Sequence, residues 1–377
     1  MQLFSLFTGY GGLDMAVRAL TGADLVGVSD IAAGACTVLA RNHPDVPNLG
    51  DITGLDTTGL PDFDIVSGGY PCQPFSTAGT RRGAGDPRHL WPHVARIIAA
   101  RRPRAVVLEN VRGHLSLGFN QVLADLAGMG YAARWSIVAA SSAGAAHRRE
   151  RLYVVAWPVG APYQVAVPDK VDTAGECGPA GYEAMLRVDE PGTRNPLDTQ
   201  RLFTDKMVLF PTPNTFDHVP PREGAALEYQ LRRGGGATAT RRNTTGNLRE
   251  DIMLARDPAA FAAGEPDAST RAQLADAVAH AGFAHERWGR YAPAVSRWSL
   301  STAMEPPEPT EVDEKGRTRL RPEFCEWLMG LAPGTVTDPA LGLSRQQQFT
   351  LTGNGVIPQA AYLALRGLGL ADAVVVE

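Results

Sequence analysis

The sequence predicts an α/β protein built around a parallel sheet, and three observations lead to that fold class. Over residues 1 to 157, short apolar segments of strand length alternate with segments of helical periodicity. Two strand segments end in glycines, at residues 9–12 and 68–69, and two others end in acids, Asp30 and Glu109. Ligands bind at the carboxyl ends of strands in open α/β sheets, so these residues mark the expected functional edge.

The composition is that of a globular chain. Its 377 residues are 44% apolar and 20% charged, with a formal net charge of −4. Its apolar runs fall short of the roughly 18 residues of a membrane span, and the N-terminus lacks a basic leader, so we expect neither a transmembrane segment nor a signal peptide. The four cysteines form no CxxC pair, which argues against structural zinc and disulfides and favours a cytoplasmic location.

The first strand, turn and helix resemble a dinucleotide-type unit. Residues 2–7 are strand-like, residues 8–12 form a glycine-rich turn, and a helix opens at residue 13. Missing side chains let a ligand approach the backbone, although tight packing between strand and helix explains the glycines equally well. The next strand ends at Asp30, which suits a ribose hydroxyl or the N-cap of a helix, and the two roles can coexist. Asp51 is a second acid at a strand end.

The next strand, residues 64–67, leads to Cys72, which lies between Pro71 and Pro74. Proline restricts both its own φ and the residue before it, so the thiol is expected on a stiffened loop just past the strand. That placement favours a nucleophile, whereas a small buried hydrophobe is the commoner role of an isolated cysteine. Residues 77–89 are rich in glycine and arginine and have few apolar anchors, which indicates a loop that moves.

The rest of the chain continues the alternation and then loses it. Glu109 ends a buried strand, where a carboxylate is costly unless it is used or paired. From residue 158 the pattern dissolves, and residues 231–256 hold six arginines against two acids, which suits phosphate or guanine contacts or simply a solvated basic surface. The remaining expected elements are helices at 90–101, 119–126, 268–281, 320–331 and 359–370 and strands at 105–108, 135–140 and 152–156.

Taken together, these segments resemble the C5-cytosine-specific DNA methyltransferases of bacterial or phage type, in the order in which that family carries its motifs. The resemblance covers about residues 1–157 and 319–377 and rests on FTGYGG at 7–12, SGGYPCQPFS at 67–76, ENV at 109–111, RER at 149–151 and GNGVIP at 353–358. Two positions depart from the family pattern. Ser5 stands where the family usually has an acid, and His147 where it usually has glutamine.

The resemblance implies a Rossmann-like S-adenosylmethionine-dependent methyltransferase sheet with an inserted, irregular target-recognition domain. Residues 1–157 would form the catalytic and cofactor-binding domain, residues 158–318 the target-recognition domain, and residues 319–377 a segment returning to the catalytic domain. The implied activity is transfer of a methyl group from S-adenosyl-L-methionine to C5 of a flipped cytosine in a specific duplex DNA sequence, with S-adenosyl-L-homocysteine as product.

The resemblance also assigns residues to roles. Cys72 would add to cytosine C6, Glu109 would hold a proton at N3, and Arg149 and Arg151 would lie near the base and Glu109. The implied cofactor residues are Phe7, Gly9, Gly11, Gly12, Asp30, Ile31, Asp51, Ile52, Pro71, Leu90, Asn354 and Val356. The expected DNA contacts are Ser76, Arg81, Arg82, Arg232, Arg233, Arg241 and Arg242. No metal is expected.

Three other functions compete with this one. The first is a tRNA cytosine methyltransferase, which would use the same motifs. The second is a catalytically idle DNA-binding regulator, which would not need the set of Cys72, Glu109 and the two arginines. The third is a nicotinamide-dependent oxidoreductase, which would not explain why Cys72 is flanked by prolines. The segment of about 160 residues in the middle favours duplex DNA, because sequence readout requires its own surface. We expect a monomer without membrane contact in the cytosol of a bacterium or a phage-infected host, and a cognate restriction endonuclease is an open partner.

Overall fold

The structure is a computed structural model, and it describes residues 1–71, 90–160 and 285–374. The chain divides into two compact units. The first comprises Met1–Ser142, Glu150–Met185 and Gly355–Glu377, and the second comprises Ala143–Arg149 and Leu186–Asn354. This division does not test the domain limits expected from the sequence, and those limits stay a prediction.

The first unit contains a six-stranded sheet covered by helices. Its strands are β1 Gln2–Leu6, β2 Asp24–Ser29, β3 Ile65–Gly68, β4 Ala105–Val111, β5 Tyr131–Ala139 and β6 Glu150–Pro158. Its helices are α1 Gly12–Thr21, α2 Ala33–Asn42, α3 Trp91–Arg101, α4 Phe119–Gly128 and, after the second unit, α9 Pro358–Gly367 and α10 Leu370–Val374. The strand order is β2-β1-β3-β4-β6-β5.

Five strands of this sheet run in the same direction, and β6 runs against them. β1 pairs in parallel with β2 and β3, and β3 with β4, whereas β6 is antiparallel to both β4 and β5. The sequence predicted a parallel sheet, and the structure has a mainly parallel one in which β6 is the exception. The reason lies in the connection: only residues 140–149 separate β5 from β6, and a parallel pair requires a longer crossover, usually a helix.

Both faces of the sheet are buried, and alternate side chains of each strand serve opposite faces. Leu3 and Ile65 pack with α1 and α9 in one cluster, while the adjacent Phe4 and Val66 pack with α3 and α4 in the other. This two-residue period with helices on both faces explains why the parallel strands are nearly continuous apolar runs. Since β1 lies between β2 and β3, the order of the strands switches there, which leaves a crevice at their carboxyl ends.

The second unit, as far as the structure describes it, is mainly helical. It contains α5 His285–Trp288, α6 Ala292–Thr302, a hairpin of β7 Thr310–Val312 and β8 Thr318–Leu320, α7 Pro322–Leu328 and α8 Arg345–Asn354. Phe324 stacks between Trp288 and Trp327, with ring centroids 5.7 and 5.5 Å away. Cys325 is buried on α7. In the described part of the chain no helix is long and apolar enough to cross a membrane.

Residues 355–356 return to the first unit through a close contact with the glycine-rich turn. The hydroxyl of Tyr10 donates to the carbonyl oxygen of Val356 at 2.7 Å. A β-carbon on Gly12 would overlap that same carbonyl, and one on Gly355 would overlap the ring of Tyr10. The glycine-rich turn at residues 8–12 and the GNGVIP segment at 353–358 therefore have complementary surfaces at Gly12 and Gly355, where the absence of side chains permits their contact.

This contact predicts a large cost for adding a single methyl group. Gly355→Ala should lower the free energy of unfolding by about 1–3 kcal/mol, because the Tyr10 ring is buried and cannot move away without disturbing its neighbours. Chemical denaturation measures the effect. The control is Gly128→Ala, at the end of α4, where a β-carbon meets nothing within 4 Å. Equal stability of the two variants would contradict the close approach.

Candidate active site

The glycine-rich turn begins with a residue in a conformation that side chains rarely adopt. Phe7 has φ +54°, and Gly9 and Gly11 follow with φ +59° and +86°. The Phe7 amide donates to the carbonyl oxygen of Ser29 at 2.8 Å, which links the ends of β1 and β2. Left-handed backbone at a non-glycine residue persists only where the surrounding structure holds it, and such residues cluster at ligand sites.

Asp30 lies at the end of β2 and binds the glycine-rich turn directly. Its Oδ2 accepts from the Gly9 amide at 2.8 Å and its Oδ1 from the Ala32 amide at 2.9 Å. The N-cap of α2 is Ala32, so the N-cap role considered for Asp30 is not the one it fills. The next residue, Ile31, is 71% exposed. A half-buried carboxylate beside an exposed apolar side chain provides both an acceptor and a surface for a flat ring.

Asn48 connects Asp30 to Gly50, the residue before Asp51, and no local sequence pattern marks it. Its Oδ1 accepts from the amides of Asp30 and Gly50, both at 3.1 Å, and its Nδ2 donates to the carbonyl of Asp30 at 3.0 Å. Asp51 follows immediately and accepts from the Thr53 amide at 2.9 Å. That hydrogen bond holds the pKa of the exposed Asp51 carboxyl below its usual value. Ile52 is buried in the core beneath it.

Glu109 and Arg151 form an ion pair at the end of β4. Arg151 Nε lies 3.0 Å from Glu109 Oε1, and both side chains are less than one-fifth exposed. The antiparallel register explains the pairing: Glu109 lies opposite Tyr153, so Arg151, two residues along β6, projects from the same face. The structure thus brings Arg151 and Glu109 together within this unit, and their roles at the base stay predictions.

Glu109 also lies against the chain that leads to Cys72. A β-carbon at Gly69 would be only 3.2 Å from Glu109 Oε2, so glycine is the residue that lets the carboxyl approach this close. Gly69, the second glycine of the Gly68–Gly69 pair, is the sequence signal that could have indicated this contact with Glu109. Cys72 itself lies outside the described residues, as do Ser76, Arg81, Arg82, Arg232, Arg233, Arg241 and Arg242.

The side chains of Asn110 and His114 fix the segment before Cys72 by binding Tyr70, and the sequence assigned neither of them this role. Asn110 Nδ2 donates to the carbonyl oxygen of Tyr70 at 3.0 Å. The Tyr70 hydroxyl lies 2.8 Å from His114 Nε2, and His114 Nδ1 lies 2.9 Å from the carbonyl oxygen of Leu117. A carbonyl only accepts, so Nδ1 carries the proton and Nε2 accepts from Tyr70 when the ring is neutral. The backbone and the side chain of Tyr70 are therefore both held, and together they set the direction in which the chain continues through Pro71.

The other expected residues are distributed over both units. Arg149 belongs to the second unit, has φ +32°, and donates from Nη2 to the carbonyl oxygen of Gly353 at 2.8 Å. His147, in the same unit, contacts the carbonyl oxygen of Leu328 through Nε2 at 3.0 Å. Asn354 is the last residue of α8 in that unit. Leu90 precedes α3 in the first unit and packs partly buried against its core.

Asp14 is a buried acid beneath the glycine-rich turn that the sequence did not reveal. It lies in the first turn of α1 and is 4% exposed. Its Oδ2 accepts from Ser5 Oγ at 2.8 Å and its Oδ1 from Ser67 Oγ at 2.5 Å. Burial raises the pKa of Asp14 from 3.8 to about 6, against the opposing effects of Ser67, Ser5 and Arg18. Ser5, the departure from the family pattern, therefore binds a carboxyl supplied by the helix.

Comparisons with known proteins agree with this geometry. Residues 1–175 match the family model for C-5 cytosine-specific DNA methylase. The type II methyltransferase M.NgoBV of Neisseria gonorrhoeae is 35% identical over 171 residues, which is 41% of this chain and 40% of that protein. M.NlaX of Neisseria lactamica is 36% identical over 160 residues, 41% of this chain and 51% of the relative. The alignments thus span about half the length of these relatives or less.

Solved structures resemble the whole chain at low identity. A DNMT2 variant of Spodoptera frugiperda has a TM-score of 0.51 at 17% identity, covering 98% of this chain and 99% of the other. A putative DNA modification methyltransferase encoded within a prophage of E. coli has a TM-score of 0.50 at 18% identity, with 98% of each chain covered. At these identities the likeness concerns the fold alone.

The mainly parallel sheet with an acid- and glycine-lined carboxyl edge is the Rossmann-like methyltransferase fold. Residues 1–175, a little under half of the chain, are similar to the C-5 cytosine-specific DNA methylase family.

The raised pKa of Asp14 predicts a pH dependence of stability. The folded-state pKa of about 6 lies above the unfolded value of 3.8, so the buried charge destabilises the protein fully above pH 6 and not below pH 3.8. Relative to Asp14→Asn, the wild-type free energy of unfolding should therefore fall by roughly 3 kcal/mol between about pH 4 and pH 7. Urea unfolding of both proteins across that range measures the difference. A difference that does not change with pH would contradict the assignment.

Proposed function

We propose that this chain is a DNA (cytosine-5)-methyltransferase that transfers a methyl group from S-adenosylmethionine to a cytosine flipped out of a specific duplex sequence. The observation that carries the proposal is the Glu109–Arg151 pair, 3.0 Å apart, with Glu109 against Gly69. Cys72 is the third residue after Gly69. A carboxyl and a thiol on adjacent strand ends are the two groups that activation of cytosine at C5 requires.

The residues along β1, β2 and the loop after β2 fit the proposed cofactor. Asp30 offers carboxylate oxygens to ribose hydroxyls, Ile31 presents an apolar surface, and Asp51 offers an acceptor to an adenine amino group. The left-handed Phe7 supplies an aromatic ring at the same edge. When bound, S-adenosylmethionine supplies an electrophilic methyl group on a sulfonium and leaves as S-adenosylhomocysteine. The match of residues 1–175 to the C-5 cytosine-specific DNA methylase family model supports this choice of cofactor.

The proposed chemistry assigns each side chain one task. Cytosine C5 is a poor nucleophile, so the thiolate of Cys72 first adds to C6, and electrons move through the ring to C5. Glu109 holds a proton at N3, which prevents negative charge from accumulating on the base. Arg151 holds the Glu109 carboxyl in place. After C5 has accepted the methyl group, loss of its proton restores the double bond and expels Cys72 as the thiolate.

The remaining parts of the proposal concern the substrate and its context. A cytosine within a duplex cannot reach Cys72, so the base must be flipped out, and residues 76–89 would close over the DNA. Residues 158–318 would read the target sequence. The type II methyltransferases among the relatives support a restriction-modification context, with an endonuclease of matching specificity as a partner. We further propose that the protein acts as a monomer in the cytoplasm.

Transfer of a labelled methyl group tests this function and its nearest rival together. Purified protein with labelled S-adenosylmethionine should label duplex DNA and leave tRNA unlabelled, and Cys72→Ser should abolish the transfer because a hydroxyl is a far weaker nucleophile than a thiolate. Bisulfite sequencing of a plasmid carried with the gene would reveal the target. Labelling of tRNA alone, or methyl transfer that survives Cys72→Ser, would overturn the proposal.

Glu109 provides a second test of the same mechanism. Glu109→Gln should lower kcat for DNA methylation by about 10²–10⁴-fold, because the amide cannot exchange the proton at N3, while cofactor binding changes little. Glu323→Gln is the matched control, since that carboxyl only pairs with a partly exposed Arg321 on the second unit. Single-turnover methylation and equilibrium cofactor binding measure the two effects. A Glu109→Gln enzyme with normal kcat would exclude the role assigned to Glu109.

A further inference from the structure

The carboxyl of Asp14 is the one strongly buried acid of the described first unit that the proposed chemistry does not use and no cation neutralises. It is 4% exposed, and both of its oxygens accept from serine hydroxyls rather than from a basic side chain. Arg18, one turn farther along α1, acts on it only through its field. A buried acid without a cationic partner is costly, so its position calls for an explanation.

Its position is against the inner side of the glycine-rich turn. Asp14 Oδ2 lies 3.9 Å from where a β-carbon of Gly11 would be. The same turn binds the carboxylate of Asp30 through the amide of Gly9. Ser5, at 3.0 Å from the Thr8 hydroxyl, joins the Asp14 carboxyl to the start of the turn. The turn therefore has one carboxyl at its ligand-facing edge and a second one buried beneath it.

We propose that Asp14 is the counter-charge by which this turn favours the cationic sulfonium of S-adenosylmethionine over the neutral thioether of S-adenosylhomocysteine. The inference rests on the proposed function, because it requires that cofactor. A negative charge surrounded by protein acts over several ångströms with little screening, so it stabilises a cation bound at the turn without touching it. Once the methyl group has left, the attraction is lost, which favours exchange of product for a fresh cofactor.

The hydroxyl partners suit this role better than a basic partner would. An arginine beside Asp14 would cancel its field at the turn, whereas Ser5 and Ser67 stabilise the carboxylate by donating hydrogen bonds and leave its net charge in place. A purely structural tie between β1, β3 and α1 would need no charge, and an amide in place of the carboxyl would serve it.

Calorimetric titration of both ligands at about pH 8, where the group is ionised, tests the proposal. In Asp14→Asn the affinity for S-adenosylmethionine should fall about tenfold or more relative to that for S-adenosylhomocysteine, because only the first ligand carries the sulfonium charge. Asp24→Asn, at the opposite end of β2, removes the same charge from an exposed site and should leave the ratio unchanged. Equal weakening of both ligands in Asp14→Asn would overturn the proposal.

A charge swap separates the field of the carboxyl from its packing. Because Ser5 Oγ and Asp14 Oδ2 are 2.8 Å apart, the double variant Ser5→Asp with Asp14→Ser moves the carboxyl by only a few ångströms. It should keep the wild-type preference, whereas Asp14→Ser alone should lose it. If Asp14→Asn does not fold, the comparison of the double variant with Asp14→Ser tests the proposal instead. An equal ratio of the affinities for S-adenosylmethionine and S-adenosylhomocysteine in these two variants would refute the role of Asp14. A wild-type protein that binds neither ligand would instead count against the proposed function itself.

Discussion

The glycine-rich turn at residues 8–12 packs directly on residues 355–356, and the edge that carries the candidate site depends on that contact. Tyr10 donates to the carbonyl of Val356, and neither Gly12 nor Gly355 has room for a side chain. The contact holds the turn at the carboxyl end of β1 while Gly9 reaches Asp30 at the end of β2. Without it, α9 would lose its anchor at the functional edge, and the left-handed backbone of Phe7 would lose part of the support that such backbone requires.

Three buried acids of this protein are stabilised in three different ways, and the differences correspond to their uses. Glu109 is paired with Arg151, which fixes its geometry. Glu326 of the second unit accepts from the amides of residues 334, 336 and 337, so it closes a loop while burial raises its pKa. Asp14 receives only hydroxyl donors and keeps an uncancelled charge. Under the proposed function, Arg151 positions the carboxyl of Glu109 for chemistry, and the hydroxyl donors leave the net charge of Asp14 for a bound cation, whereas the amide donors give Glu326 a structural role.

The antiparallel strand β6 contributes to the site as well as to the sheet. A parallel strand following β5 would require a long crossover, and its register would not place Arg151 diagonal to Glu109. In the observed pairing, Glu109 lies opposite Tyr153 and Arg151 extends from the same face two residues away. The short connection between β5 and β6 is thus the local cause of the Glu109–Arg151 pair. Arg149, two residues earlier, lies in the other unit and makes its hydrogen bond to Gly353.

Much of the fold and part of the site were determined by the sequence itself. Apolar runs and glycine turns locate β1 to β4 and their helices, and local motifs indicate Phe7, Asp30, Asp51 and Glu109, because the sequence pattern places each at the end of an expected strand. In the structure Phe7 and Asp30 directly follow β1 and β2, Glu109 lies within β4 near its end, and Asp51 instead caps a short 3-10 turn. The sequence could not reveal that β6 is antiparallel, nor the roles of Asn48, His114 and Asp14. Those roles consist of hydrogen bonds between residues 9 to 53 positions apart, which have no periodic or local signature. Only the tertiary structure brings such partners within 3 Å, since strand pairing and packing, rather than local propensity, decide which side chains meet.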